Sequence, residues 1–132
     1  MKVLLSIKPE FAYKIFEGEK KFEFRKVIFK NPDIKTVIVY ASSPVQLVIG
    51  EFEIDHILTS KPNDIWEKTK KYSGISEEFF YEYFANREIA HAIKIKEVKK
   101  YDEPLSLKEN FHVLPPQSYL YLNKKKQFAV EK

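Results

Sequence analysis

Residues 20–27, Lys-Lys-Phe-Glu-Phe-Arg-Lys-Val, alternate polar and apolar side chains. A period of two belongs to a strand, because successive side chains leave the backbone on opposite faces. Phe22 and Phe24 are expected to point into a core, and Lys21, Glu23 and Arg25 to the wet face. Two more strand patterns follow. Residues 35–41 are a β-branched run, Lys-Thr-Val-Ile-Val-Tyr-Ala, and residues 45–58 form a long stretch broken only by Gly50. A glycine inside a strand marks a bulge or a close backbone approach. Only Asn31-Pro32-Asp33 and Ser42-Ser43-Pro44 separate these patterns, and both read as turns. Strands joined so closely pair in an antiparallel or mixed sheet.

The rest of the chain supplies short helices and more strands. Residues 2–7 read as a buried strand, followed by a helix over 9–17 with Pro9 at its first position and Gly18 closing it. Helices are expected over 62–71 and from the Ser76 cap to Phe84. Alternation over 88–99 predicts a strand, 104–110 a loop or short helical turn, and 118–122 a closing strand. The expected class is α+β: a small curved sheet or partial barrel with helices at its ends. At 132 residues, 44% apolar and 32% charged, the chain suits one globular domain, not a disordered segment. We assign residues 1–123 to that domain and 124–132, with Lys124-Lys125-Lys126, to a basic C-terminal tail.

Several function classes fall away. There is no cysteine, hence no disulfide framework, cysteine-zinc site or cysteine nucleophile. No uncharged run approaches the roughly 20 residues of a membrane span. The N-terminus has no cleavage-site pattern, so the expected compartment is the cytoplasm. His56, His91 and His112 lack metal-ligand spacing, the three glycines form no phosphate loop, and there is no Gly-x-Ser-x-Gly elbow. Neither metal nor cofactor is expected. Charge is uneven: residues 1–30 hold eight Lys/Arg against four Glu, and residues 51–67 hold five acids against one Lys. A cationic N-terminal third suits an anionic partner, RNA or a nucleotide, although lysines also simply keep surfaces solvated.

The segment richest in chemistry is Gly18-Glu19-Lys20-Lys21-Phe22-Glu23-Phe24-Arg25. A lysine, a carboxylate and an arginine converge where a helix gives way to a strand. Arg25 offers a planar fork of donors and Lys20 a compact charge, suited to a phosphate or polar base edges. If burial lowered its pKa, Lys20 could also serve as base or nucleophile. The same residues would equally make an ordinary salt bridge on an exposed strand. Weaker candidates are Lys8 ahead of the first helix, Ser42 and Ser43 at a strand end, and Gln117 and Tyr119 after the rigid Pro115-Pro116.

The pattern Gly-x-Lys-x-x-Glu-x-Arg, after a helix opening Leu5-Ser6-Ile7-Lys8-Pro9, resembles the ASCH domain family of the PUA-like superfamily. Gly50-Glu51-Phe52-Glu53 and Pro115-Pro116-Gln117-Ser118-Tyr119 extend the resemblance. It is nearest to small free-standing prokaryotic members, which are described as predicted transcriptional regulators. The resemblance implies a mixed β pseudobarrel of about five to six strands, with a cleft beside the first helix ringed by Lys20, Glu23 and Arg25. It also implies a function among RNA binding, coactivation, ribonuclease activity and amidohydrolysis of acetylated cytidine. In the amidohydrolase branch a lysine at the position of Lys20 is catalytic, with a threonine three residues on and a glutamate on a later strand. Here Glu23 replaces that threonine, so the same hydrolysis does not carry over; Glu51 or Glu53 would have to supply the strand carboxylate.

The expected function is therefore an RNA- or nucleotide-binding domain with a regulatory role in transcription, translation or RNA modification. Its ligand would be held by Lys8, Lys20, Glu23, Arg25, Ser42, Ser43, Gln117 and Tyr119. The alternative is a hydrolase of a modified nucleoside or RNA using Lys20, Glu23 and Glu53. A third reading is a protein-interaction module working through the acidic 51–67 region.

Overall fold

The structure, a computed structural model, describes residues 1–122; the basic tail assigned to 124–132 lies outside them. Six strands, β1 (Lys2–Ile7), β2 (Phe22–Arg25), β3 (Thr36–Ala41), β4 (Leu47–Ser60), β5 (Ala90–Leu105) and β6 (Leu120–Leu122), form one sheet in the order β2-β5-β4-β3-β1-β6. Only β1 and β3 run parallel; every other pairing is antiparallel. Helices α1 (Pro9–Glu17), α2 (Pro62–Thr69), α3 (Glu77–Tyr83) and α4 (Leu107–Phe111) connect them, with a 3-10 turn over Lys70–Tyr72. Among the described residues no helix is long and apolar enough to cross a membrane.

The α+β class and the strand count are as expected, but the sheet is not closed into a barrel. β2, four residues long, and β6, three, are its two edges and do not pair. A side chain bridges them instead. Arg25 at the end of β2 donates through Nη1 to the Ser6 carbonyl of β1 at 3.1 Å and through Nη2 to the Ser118 carbonyl ahead of β6 at 2.6 Å.

The core explains the patterns. In β1 and β3 both faces are buried: Val3, Leu5, Val37 and Val39 pack under α1, while Leu4, Ile38 and Tyr40 face α4 with Leu107, Phe111 and Leu122. Such strands read as continuous apolar runs. Phe22, Phe24, Ile65, Trp66, Phe80 and Phe84 form a further cluster beneath α2 and α3. Gly50 marks both anticipated features. The β4 register is irregular between Val48 and Gly50. A Cβ there would meet the Lys99 carbonyl oxygen at 2.6 Å and the Phe16 ring at 2.7 Å. Glycine thus lets α1 lie tightly on the sheet.

Candidate ligand-binding cavity

The cavity is built outward from the end of α1. Gly18 adopts a left-handed conformation (φ 86°), and its N–H bonds back to the Ile15 carbonyl at 3.2 Å. Glycine takes that conformation without Cβ strain and reverses the chain sharply. The turn delivers Lys20 inward. Strand β2 begins only at Phe22, so Lys20 lies in the connection, where it is 2% exposed. Its Nζ donates to the Ser73 carbonyl oxygen at 2.8 Å and lies over the rings of Phe24 (4.6 Å) and Phe11 (5.5 Å). The stem of the lysine passes against Gly74, where φ is +70° and a Cβ would sit 2.5 Å from the Lys20 Cβ.

Burial therefore acts strongly on this amine. Desolvation lowers its pKa from 10.5 to about 8, against the opposing pull of the Glu23 carboxylate and with help from the Lys14 charge. The carboxylate three residues away does not keep the amine at its ordinary value, because the rings around it cannot solvate a charge as water does.

Alternation along β2 sends Phe22 and Phe24 toward the core cluster, as expected, and turns Glu23 and Arg25 to the other face, although the Phe24 ring reaches the cavity lining as well. That second face is not open to solvent: Glu23 is 5% exposed. Its Oε2 accepts from Arg25 Nη1 at 3.2 Å. No buried side-chain oxygen or nitrogen lacks a partner among the described residues, so Oε1, which has no such bond, is reached from the cavity. Arg25 is largely committed to the Ser6, Ser118 and Glu23 acceptors. Its charge borders the cavity while its hydrogen bonds shape the wall.

The result is a cavity of about 230 Å³. Lys20, Glu23 and Arg25 form its polar floor. Phe11, Phe24, Ile75, Phe79, Tyr83 and the buried Ile7 form its walls, and Ser6 with the exposed Lys8 and Gln117 its mouth. Donors, an acceptor and flat apolar walls together suit a planar ring carrying polar edges. Among the described residues no cluster of three His, Asp or Glu could hold a metal ion.

Of the residues singled out from sequence, the fold brings Lys8, Lys20, Glu23, Arg25 and Gln117 together. It places the others elsewhere. The Ser42 N–H donates to the Ile7 carbonyl at 3.0 Å and its carbonyl accepts from Val45, while Ser43 is exposed in the same turn. The Tyr119 ring packs on Phe29 and Tyr121. Glu53 is exposed and lines a separate shallow groove with Glu51, Glu97 and Lys99. Glu51 accepts from the Tyr101 hydroxyl at 2.8 Å and pairs with Lys2 at 3.5 Å. The strand carboxylate the alternative needed does not line the cavity, and among the described residues Glu23 is the one carboxylate there. Sequence reasoning missed Ser73 and Gly74, which hold Lys20, and the aromatic wall of α3. The signal for the wall was present in the run Phe79-Phe80-Tyr81-Glu82-Tyr83-Phe84, whose register relative to the sheet no local pattern sets.

Comparison with known proteins agrees with this architecture. The ASCH domain profile matches residues 5–111. The crystal structure of ASCH from Zymomonas mobilis superposes with a TM-score of 0.88 at 30% identity, covering 98% of this chain and 93% of that one. A curated protein of Zymomonas mobilis subsp. mobilis, an ASCH domain-containing ribonuclease, is 30% identical over 126 residues, 92% of this chain and 84% of its own length. An ATP synthase subunit alpha of Ureaplasma parvum serovar 3 is 36% identical over 121 residues, and the chain spans 15% of the length of that relative.

Proposed function

The chain belongs to the ASCH domain family, and on that premise we propose that its cavity receives one nucleotide unit of RNA. The observation that carries this reading is the pairing of a buried lysine and a buried carboxylate at the floor of an aromatic-walled cavity with a cationic mouth. Drug-sized ligands occupy pockets of roughly 300–1,000 Å³. A space of about 230 Å³ admits a single base or nucleoside and leaves the rest of a polynucleotide outside. Glu23 accepts from an exocyclic amine or ring N–H, Lys20 donates to a carbonyl or phosphate oxygen, and the edge-to-face pair Phe11 and Phe79, ring centroids 5.1 Å apart, forms an apolar wall against one side of the base. Single-stranded RNA suits such a site because its bases can be splayed out one at a time. The name of the Zymomonas mobilis relative, a ribonuclease, points to the same class of ligand. A regulatory role in transcription, translation or RNA modification, in the cytoplasm, belongs to the same proposal.

One observation favours a second reading, in which the bound unit is also cleaved or hydrolysed. An amine with a pKa of about 8 is neutral in an appreciable fraction of molecules near neutral pH. Lys20 then acts as general base toward water or a ribose hydroxyl. Glu23 orients it or returns the proton. Titrating labelled single-stranded RNA at low and moderate salt tests the first reading; the expected result is binding that weakens as salt rises. Absence of binding at low salt overturns it. Incubating the protein with RNA and with N4-acetylcytidine tests the second. The expected pattern is turnover by the wild type, retained binding without turnover in Lys20→Arg, and loss of both in Lys20→Ala. Absence of turnover on every substrate removes the catalytic reading and leaves the binding one.

A further inference from the structure

Two lysines, Lys8 lining the cavity and Lys26 beside it, lie against the α3 wall. Phe79 and Tyr83 lie one helical turn apart, both line the cavity, and their rings are nearly parallel, 11° between planes with centroids 6.4 Å apart. The Lys8 amine, from the residue preceding α1, stands over the Phe79 ring at 5.2 Å. The Lys26 amine, from the residue following β2, stands over the Tyr83 ring at 4.7 Å. Both lysines are exposed, so neither amine is consumed by the fold. A cation on a ring face is attracted by the ring quadrupole. Three N–H donors remain on each ammonium, available to an anion. Side chains already confined lose less freedom when a ligand arrives.

The geometry points to a pair of phosphate anchors beside the cavity: Lys8 on Phe79 and Lys26 on Tyr83 hold backbone phosphates of the RNA strand whose one base enters the cavity. This rests on the nucleotide reading of the cavity and goes beyond it by saying what binds outside. The two rings stand 6.4 Å apart on one helix, so both anchors sit on the same wall. A monophosphate reaches one anchor, whereas an oligonucleotide reaches both. The protein is therefore selective for a nucleotide embedded in a strand over the free nucleotide.

Fluorescence anisotropy with a labelled single-stranded oligouridine, and competition by uridine monophosphate, tests this across a salt series. The variants are Lys8→Ala/Lys26→Ala and a charge-matched control on other surfaces, Lys99→Ala/Lys108→Ala. Each lost contact to single-stranded nucleic acid lowers the log–log salt slope by about 0.7, so the anchor variant loses about 1.4 while the control keeps the wild-type slope. Affinity for the monophosphate changes far less than affinity for the oligonucleotide. Equal slope losses in both double variants overturn the anchors and leave only general charge attraction. Binding of the monophosphate with no gain for the oligonucleotide overturns the anchors while the cavity reading stands. Failure of the wild type to bind either ligand overturns both.

Discussion

Lys20 is the residue at which burial and charge oppose each other most. Its folded-state pKa is about 8 against 10.5 when solvated. Between those values the unfolded chain binds more protons than the folded one, so this group's contribution to stability rises with pH across that window. Below pH 8 the fold carries the full cost of a buried ammonium, about 3 kcal/mol at 1.36 kcal/mol per unit. Lys20→Met, which keeps the length and drops the charge, is expected to raise the melting temperature at pH 7. The advantage should shrink from pH 8 and vanish near 10.5, as thermal unfolding over a pH series will read. An advantage independent of pH would mean that packing alone distinguishes the two side chains. Gly74 sets the position of the same amine. A methyl there meets the lysine stem at 2.5 Å on a backbone with φ of +70°. Gly74→Ala is expected to cost about 1–3 kcal/mol from strain and overpacking. It should also move the Lys20 amine resonance in an NMR titration, whereas a purely structural loss would leave that titration unchanged.

The elements show which parts of the site could be read in advance. β2 was legible because alternation is a local property, and the capping glycine of α1 was legible for the same reason. That Glu23 is buried was not, since its cover comes from α3 and from residues 117–118, distant in sequence. Ser42, Ser43 and Tyr119 were plausible as residue types. Their exclusion is decided by a turn bonded to β1 and by an aromatic contact with Phe29. Glu53 was excluded by the direction of β4, whose irregular register at Glu53 and Ile54 no single-strand pattern reveals. Gly50 was read correctly from sequence as a special position, and its role is now specific. Gly50→Ala drives a methyl into the Phe16 ring and the Lys99 carbonyl, which lifts α1 from the sheet. Loss of about 1–3 kcal/mol in urea unfolding is expected, together with weaker ligand binding, because Phe11 on the same helix forms a cavity wall.

On the scale of the whole molecule the sheet remains open and a guanidinium closes the gap. Arg25 touches the Ser6 carbonyl, the Ser118 carbonyl and the Glu23 carboxylate. Arg25→Ala leaves the carboxylate buried without its cation, which costs about 3–5 kcal/mol. Urea unfolding and hydrogen exchange along β2 and β6 will measure it. Arg25→Lys is expected to recover only part, since one ammonium cannot reproduce a planar fork with three acceptors. A loss confined to ligand binding, with stability intact, would show that the bridge is not structural. The clasp also has a consequence in time. Its three partners come from residues 6, 23 and 118, so a nascent chain that has left the ribosome through β5 already holds five of the six strands and nearly all of the cavity lining. It lacks the carbonyl that fastens Arg25. Until residue 118 emerges, Arg25 can reach the Ser6 carbonyl and the Glu23 carboxylate but not its third acceptor, so the two edges of the sheet stay unfastened.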